Sequence, residues 1–143
     1  NSFLHLLNEK DMKSCLKSIK KHLSNDGLFI LDIFTPDPEF IYRDSIKKYK
    51  EMIIHHPSEG KYTIWQTSEF DEQKEILYIN WFFENVKKII KYEYEFAMSI
   101  IYPDTMDRIL TEVGFIINEK KGDYNGELFD ENSLLQLYIC SKT

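Results

Sequence analysis

Seven residues, Leu28-Phe29-Ile30-Leu31-Asp32-Ile33-Phe34, form a nearly unbroken apolar run. Such a run has no side suited to water, so it reads as a strand covered on both faces, the pattern of a parallel sheet. The residues before it define its setting. Met12, Cys15, Leu16, Ile19 and Leu23 recur at the three- and four-residue spacing of an amphipathic helix. Asn8 is placed to cap that helix, and Glu9 and Asp11 put negative charge in its first turn. Ser24-Asn25-Asp26-Gly27 stops it, with Gly27 free to take positive φ. A helix, a tight turn and a buried strand in that order predict an α/β domain.

The rest of the chain changes character. A short helical turn is predicted over Glu39 to Arg43, after the breakers Pro36 and Pro38. Tyr62–Phe70, Glu75–Phe83 and Ile89–Ile101 are dense in β-branched and aromatic residues, with polar turns at Asp71-Glu72-Gln73 and Glu84-Asn85. In the last of these runs Tyr92, Tyr94 and Phe96 alternate with Glu93 and Glu95, which predicts an antiparallel meander with one face solvated. Tyr102-Pro103-Asp104 opens a second helix, with Met106, Ile109, Leu110 and Val113 inward and Gly114 as its C-cap. Strands are predicted from Phe115 toward Lys121 and over Ser133–Ser141, around a turn cluster at Gly122–Gly126.

Charge and composition exclude several functions. With 18 basic against 24 acidic side chains and a net charge of -6, the chain lacks the clustered positive charge that nucleic acid or an anionic membrane requires. Its densest basic run, Lys17, Lys20, Lys21 and His22, falls on a helix face and last turn, where cations suit the dipole. Aromatics at 15% allow a real core in 143 residues. No apolar span of about 18 residues and no signal peptide is evident, so a soluble, cytoplasmic protein is expected. Cys15 and Cys140 sit at apolar positions without metal spacing and are expected to be buried, reduced thiols. The chain opens Asn1-Ser2-Phe3-Leu4-His5-Leu6 without Met, and is therefore expected to be a processed or truncated product.

Three segments in this order carry a resemblance: Asn1–Leu7; His22 through Gly27 to Phe34; and Tyr102-Pro103 through Leu110 to Gly114-Phe115. Together they resemble the C-terminal part of class I S-adenosylmethionine-dependent methyltransferases, of the small-molecule type with a β-rich insert. The resemblance implies an α/β fold: the C-terminal portion of a Rossmann-like methyltransferase sheet carrying an antiparallel β insert. Residues 1–45 and 102–143 would form the partial core, and 46–101 the insert that shapes the substrate site. Leu28–Phe34 would be that family's fifth strand, and the last two strands its sixth and an antiparallel seventh. The family's glycine-rich loop and ribose-binding acid have no counterpart, since the five glycines, at 27, 60, 114, 122 and 126, include no Gly-x-Gly. S-adenosylmethionine is therefore expected in a full-length parent, and no cofactor site on this chain alone.

By the same resemblance Asn1, Ser2 and His5 lie at the carboxyl end of the fourth strand, facing the transferred methyl or the acceptor; as residues of this chain they read first as a loop with a frayed terminus. Asp32 interrupts an apolar strand, so it is either a paired functional carboxylate, or one that points at an uncovered sheet face or accepts from backbone amides. Trp65 is the leading aromatic for an acceptor pocket, against a role in the core of a small sheet. Tyr124 is a substrate-facing candidate in an otherwise ordinary turn. His55-His56 reads as a loop pair rather than metal ligands, because adjacent extended residues point to opposite faces. No catalytic residue is assigned.

Two readings follow. One is a fragment of an enzyme that transfers a methyl group to a small-molecule acceptor and is inactive alone; the other is a non-enzymatic α+β binding or dimerisation module. With the family's first four strands missing, the exposed edge of Leu28–Phe34 is expected to be covered in a homodimer or an intertwined assembly.

Overall fold

In the computed structural model, which describes residues 1–142, Asn8 caps helix α1 (Glu9–His22): its Oδ1 accepts the Asp11 N–H at 2.9 Å. The predicted stripe is inward, with Met12 and Leu16 buried, but Cys15 is only half-buried. The loop after α1 also differs from expectation. Gly27 is not among the positive-φ glycines; it is needed because a Cβ there would lie 2.8 Å from both Leu23 Cδ1 and Ser24 Oγ.

Strand β1 (Leu28–Phe34) follows as predicted. It pairs antiparallel with β7 (Leu135–Lys142), from Leu28↔Ser141 to Phe34↔Leu135, and β7 pairs antiparallel with β6 (Phe115–Lys121). The order is β1-β7-β6, so β1 and β6 run the same way on either side of a reversed strand. The expectation that β1 is covered on both faces fails. Leu31 and Ile33 are buried and Phe29 rests on Phe115, ring centroids 5.3 Å apart, but Leu28 is 58% and Ile30 62% exposed. Alternation along the strand puts Leu28 and Ile30 on the second face, together with Asp32. The unbroken apolar run thus records a strand suited to cover on both sides of which one side is open here.

Helix α3 (Pro103–Val113) starts on Pro103 and ends at Gly114, whose φ of +89° is the left-handed conformation expected of a C-cap. Met106, Ile109, Leu110 and Val113 are buried as predicted. A four-membered ion-pair cluster joins the two long helices. Lys13 contacts Glu9 at 2.6 Å and Glu112 at 2.5 Å, while Arg108 contacts Glu9 at 2.7 Å and Glu112 at 3.2 Å. Hydrogen bonds from Arg108 and then Lys13 pull the Glu9 carboxyl down to about 2. A carboxyl whose folded pKa is depressed stabilises the fold above its unfolded value and loses that contribution as pH falls through the folded one. Thermal stability should therefore decline between about pH 4.5 and 2. Glu9→Gln should flatten that decline, and 0.5 M NaCl should weaken it, since these side chains are partly exposed. An acid profile identical in E9Q would show that the cluster is idle.

A second compact unit, Pro38–Met98, is inserted between the two chain segments that form the first, 1–37 and 99 onward. It begins with the short helix α2 (Pro38–Ile41). Its sheet is a meander in sequence order, β2 (Tyr49–His56), β3 (Gly60–Asp71), β4 (Ile76–Asn85) and β5 (Ile90–Ser99). Strand β2 was not anticipated, and it corrects the reading of His55-His56 as a loop pair: both lie in β2, opposite Lys61 and Gly60. On β3 the alternating residues Tyr62, Ile64, Gln66 and Ser68 are buried. The one-sided burial expected along β5 is absent from its first half, where Tyr92 is 52% and Tyr94 59% exposed. Only from Phe96 on, packed edge-on against Trp81 at 5.1 Å, does the strand turn inward. Among the described residues no helix is long and apolar enough to cross a membrane.

Candidate functional site

In open α/β sheets ligands collect beyond the carboxyl ends of strands, and here β1 ends at Phe34. Phe3 and Leu4, buried within a 3-10 turn (Ser2–His5), anchor the segment that reaches this end. Asn1 Oδ1 accepts the Phe34 N–H at 2.9 Å, on the edge of β1 away from β7. Ser2 lines a groove of about 350 Å³ with Phe3, Cys15, Ile19, Ile30 and Asp32. His5 closes the turn at the surface.

Asp32 and Tyr124 meet. The Tyr124 hydroxyl donates to Asp32 Oδ2 at 2.6 Å, on the sheet face that carries the exposed Leu28 and Ile30. Of the readings open for Asp32, an uncovered face and a hydrogen-bonded partner both hold, and the partner is a phenol rather than backbone. The loop that presents Tyr124 is built to do so. The Asp123 carboxylate accepts the N–H groups of Asn125, Gly126 and Glu127, each at 3.0 Å, and Gly126 has φ of +102°. Gly122 is packed so closely against Ser133 that a side chain there would displace it. Donation to Asp32 raises the Tyr124 phenol above its ordinary range, so it stays protonated.

Three further residues at this end were not singled out in the sequence. Thr35 and Tyr102 line a recess of about 470 Å³ with Asp104, Phe129, Asp130 and Glu131. Gln136, wholly buried on β7, donates from Nε2 to the Phe34 carbonyl at 3.2 Å and the Ile101 carbonyl at 2.9 Å. A glutamine inside Leu134-Leu135-Gln136-Leu137-Tyr138 was the available signal, a polar residue in an apolar run.

The meander unit holds Trp65. Its indole Nε1 is buried without a partner among the described residues, whereas Trp81 Nε1 donates to Gln66 Oε1 at 2.8 Å. A depression of about 520 Å³ on this sheet is lined by Thr67, Glu69, Tyr78, Asn80 and Glu95 among others, and Trp65 is not part of it. The structure therefore gathers Asn1, Ser2, Asp32 and Tyr124 around β1 and leaves Trp65 in the other unit.

The glycines provide a test of cofactor fit. A nucleotide cradle needs glycines where backbone approaches a ligand. Gly27 and Gly122 are crowded by this chain's own Leu23, Ser24 and Ser133, while Gly60 and Gly126 face open space in turns. These four glycines do not come together in a Gly-x-Gly cradle. Among the described residues no group of three or more His, Cys, Asp or Glu is arranged to hold a metal.

No protein-family model matches the sequence, and no curated protein matches it. Solved structures do. The CcbJ methyltransferase of Streptomyces caelestis superposes with a TM-score of 0.77 at 15% identity, over 100% of this chain and 58% of that one. An S-adenosylmethionine-dependent methyltransferase of Clostridium acetobutylicum gives 0.73 at 15% identity, over 99% and 55%. The chain has the fold of part of a class I methyltransferase. An amino pentose methyltransferase of Micromonospora echinaspora, involved in calicheamicin biosynthesis, gives 0.65 at 12% identity, over 99% and 54%. The chain spans little more than half the length of each of these structures. The last strand, β7, runs antiparallel to both β1 and β6, which agrees with the antiparallel seventh strand that the resemblance implied.

Proposed function

We propose that this chain is the latter part of an S-adenosylmethionine-dependent methyltransferase that acts on a small-molecule acceptor. The observation that carries the proposal is the superposition of essentially the whole chain, both units included, on such enzymes. In this reading the methyl donor is held by residues outside these 143, and the unit Pro38–Met98 helps to shape the acceptor site. Asn1, Ser2, Asp32 and Tyr124 stand at the acceptor side of β1. Transfer to an oxygen or nitrogen is an in-line displacement that depends chiefly on positioning, so what this chain contributes is orientation through hydrogen bonds. With its proton given to Asp32, the Tyr124 hydroxyl has its oxygen left to accept a hydrogen bond from an O–H or N–H of an acceptor.

Isothermal titration of the isolated chain with S-adenosylmethionine should give no saturable heat at millimolar ligand. The product of the complete reading frame should bind it and release labelled methyl to an acceptor. Tight binding by the isolated chain would overturn the placement of the donor site, and a complete reading frame without a Gly-x-Gly after an apolar strand would sink the enzyme reading.

One observation favours a second reading, a dimerisation module. Strand β1 is an edge strand, and Leu28 and Ile30 beside it are exposed. Edges of that kind attract partners. We propose a homodimer that covers this edge. Sedimentation velocity should show twice the monomer mass at micromolar concentration, and Ile30→Lys should return it to monomer. A wild-type monomer would rule the assembly out.

A further inference from the structure

Of the asparagines in the chain only Asn125 precedes a glycine, Gly126. In such a pair the glycine's backbone nitrogen reaches the carbonyl carbon of the asparagine side chain with no Cβ in its way. Both residues are exposed, and a Cβ built at Gly126 would meet nothing within 4 Å. Packing therefore does not restrain this pair; one carboxylate does. Asp123 Oδ1 accepts the Gly126 N–H at 3.0 Å, which ties down the nitrogen that would attack. Asp123 Oδ2 accepts from Asn125 Nδ2 at 3.0 Å, which ties down the group that would leave. The N–H groups of Asn125 and Glu127 donate to the same Oδ1, each at 3.0 Å, and keep the loop closed. The negative charge beside the Gly126 N–H also opposes loss of its proton.

We propose that Asn125-Gly126 is a self-modification site, converted to isoaspartate when the loop opens, and that Asp123 is the gate that sets how often it opens. In the open loop the Gly126 nitrogen gives its proton to solvent base and attacks Asn125 Cγ. The bond from Cγ to Nδ2 breaks, and ammonia leaves with a proton taken from solvent. The product is a five-membered cyclic imide. Water adds to one of its two carbonyls and opens the ring, to aspartate or to isoaspartate, in which the main chain runs through Cβ. Isoaspartate lengthens the backbone by one carbon and puts a carboxylate next to that of Asp123 in place of the Nδ2 donor. The loop then no longer closes as before, and Tyr124 loses the position from which its hydroxyl meets Asp32 at 2.6 Å. A slow, irreversible change at position 125 thus reaches the candidate site on β1. The inference does not depend on the methyl-transfer reading.

The full chain, incubated in mildly alkaline buffer and sampled by peptide mapping, tests both parts. Isoaspartate should accumulate at position 125 in the wild type, and about tenfold faster or more in Asp123→Ala, since hydrogen bonds to a charged acceptor are among the stronger ones. Asp123→Asn keeps an acceptor oxygen without the charge; its rate should fall between the two, and it serves if the alanine variant folds poorly. Equal rates in the wild type and both variants would overturn the gate. No isoaspartate at position 125 in any of the three would overturn the site. Carbon-13 NMR of labelled tyrosine reads the consequence. The Tyr124 phenol, held above its ordinary range by Asp32, should ionise at lower pH in the converted wild-type protein than in the fresh one. An unchanged titration of Tyr124 would refute the link between this loop and Asp32.

Discussion

Leu16→Ala is expected to lower the stability of the chain by about 2–5 kcal/mol. Leu16 has no exposed surface, and it is the residue of α1 most deeply set into the core of its unit. Domains are stable by only about 5–15 kcal/mol, so the loss is a large share of the total. It should appear as a lower urea midpoint with an unchanged slope. Leu134→Ala removes the same atoms from a side chain that is 78% exposed and should change stability by less than about 0.5 kcal/mol. A Leu16 variant no less stable than the Leu134 variant would mean that α1 is not part of this core.

Asp107→Ala should cost about 1–3 kcal/mol, at the lower end if water replaces the carboxylate, which is 41% exposed. Asp107 takes hydrogen bonds from Lys120 Nζ and from Tyr138 Oη, each at 2.7 Å. Its removal leaves an ammonium whose side chain is only 18% exposed, sitting over the rings of Phe129 and Tyr138 at 4.5 and 5.1 Å. Burial, the largest cause of the upward shift of the Tyr138 phenol, remains after the substitution, so the phenol stays protonated and cannot take over the negative charge. Lys120→Met on top of Asp107→Ala should recover most of the loss, because an apolar side chain of that length suits the two rings. Chemical denaturation of the two single variants and the double closes the cycle. Additive losses would show that the pair is not coupled.

The elements that were legible in the sequence are those whose own residues announce them. Asn8 and Gly114 mark the ends of α1 and α3, and both play the capping roles their positions predict. Strand β2 was hidden for a local reason: its register with β3 shifts between Lys50 and Met52, and the bulge breaks the two-residue alternation that would have revealed it. The open face of β1 was hidden for a different one. Composition reports which side chains suit burial, not whether a covering element is present, and Leu28 and Ile30 look the same in either case. At the site, Asp32 stood out as a carboxylate in an apolar run, while Asn1, Ser2 and Tyr124 were candidates only through the family resemblance. Their meeting was not legible, because Tyr124 reaches Asp32 from the far end of the chain through a loop shaped by Asp123. Gln136 is marked in the sequence as a polar residue in an apolar run, but the carbonyls it serves lie in two other segments and are not.

The strand order also bears on the sequence of events when the chain is made. β2 to β5 pair only with their neighbours in sequence, and such local pairings form early. β1 has no sheet partner among the described residues until β7, which lies beyond the whole Pro38–Met98 unit and α3, has been synthesised. The Pro38–Met98 unit can close while α1 and β1 are still waiting. Throughout that interval Leu28–Phe34 has none of the described strands to pair with, and there a chaperone's protection matters most.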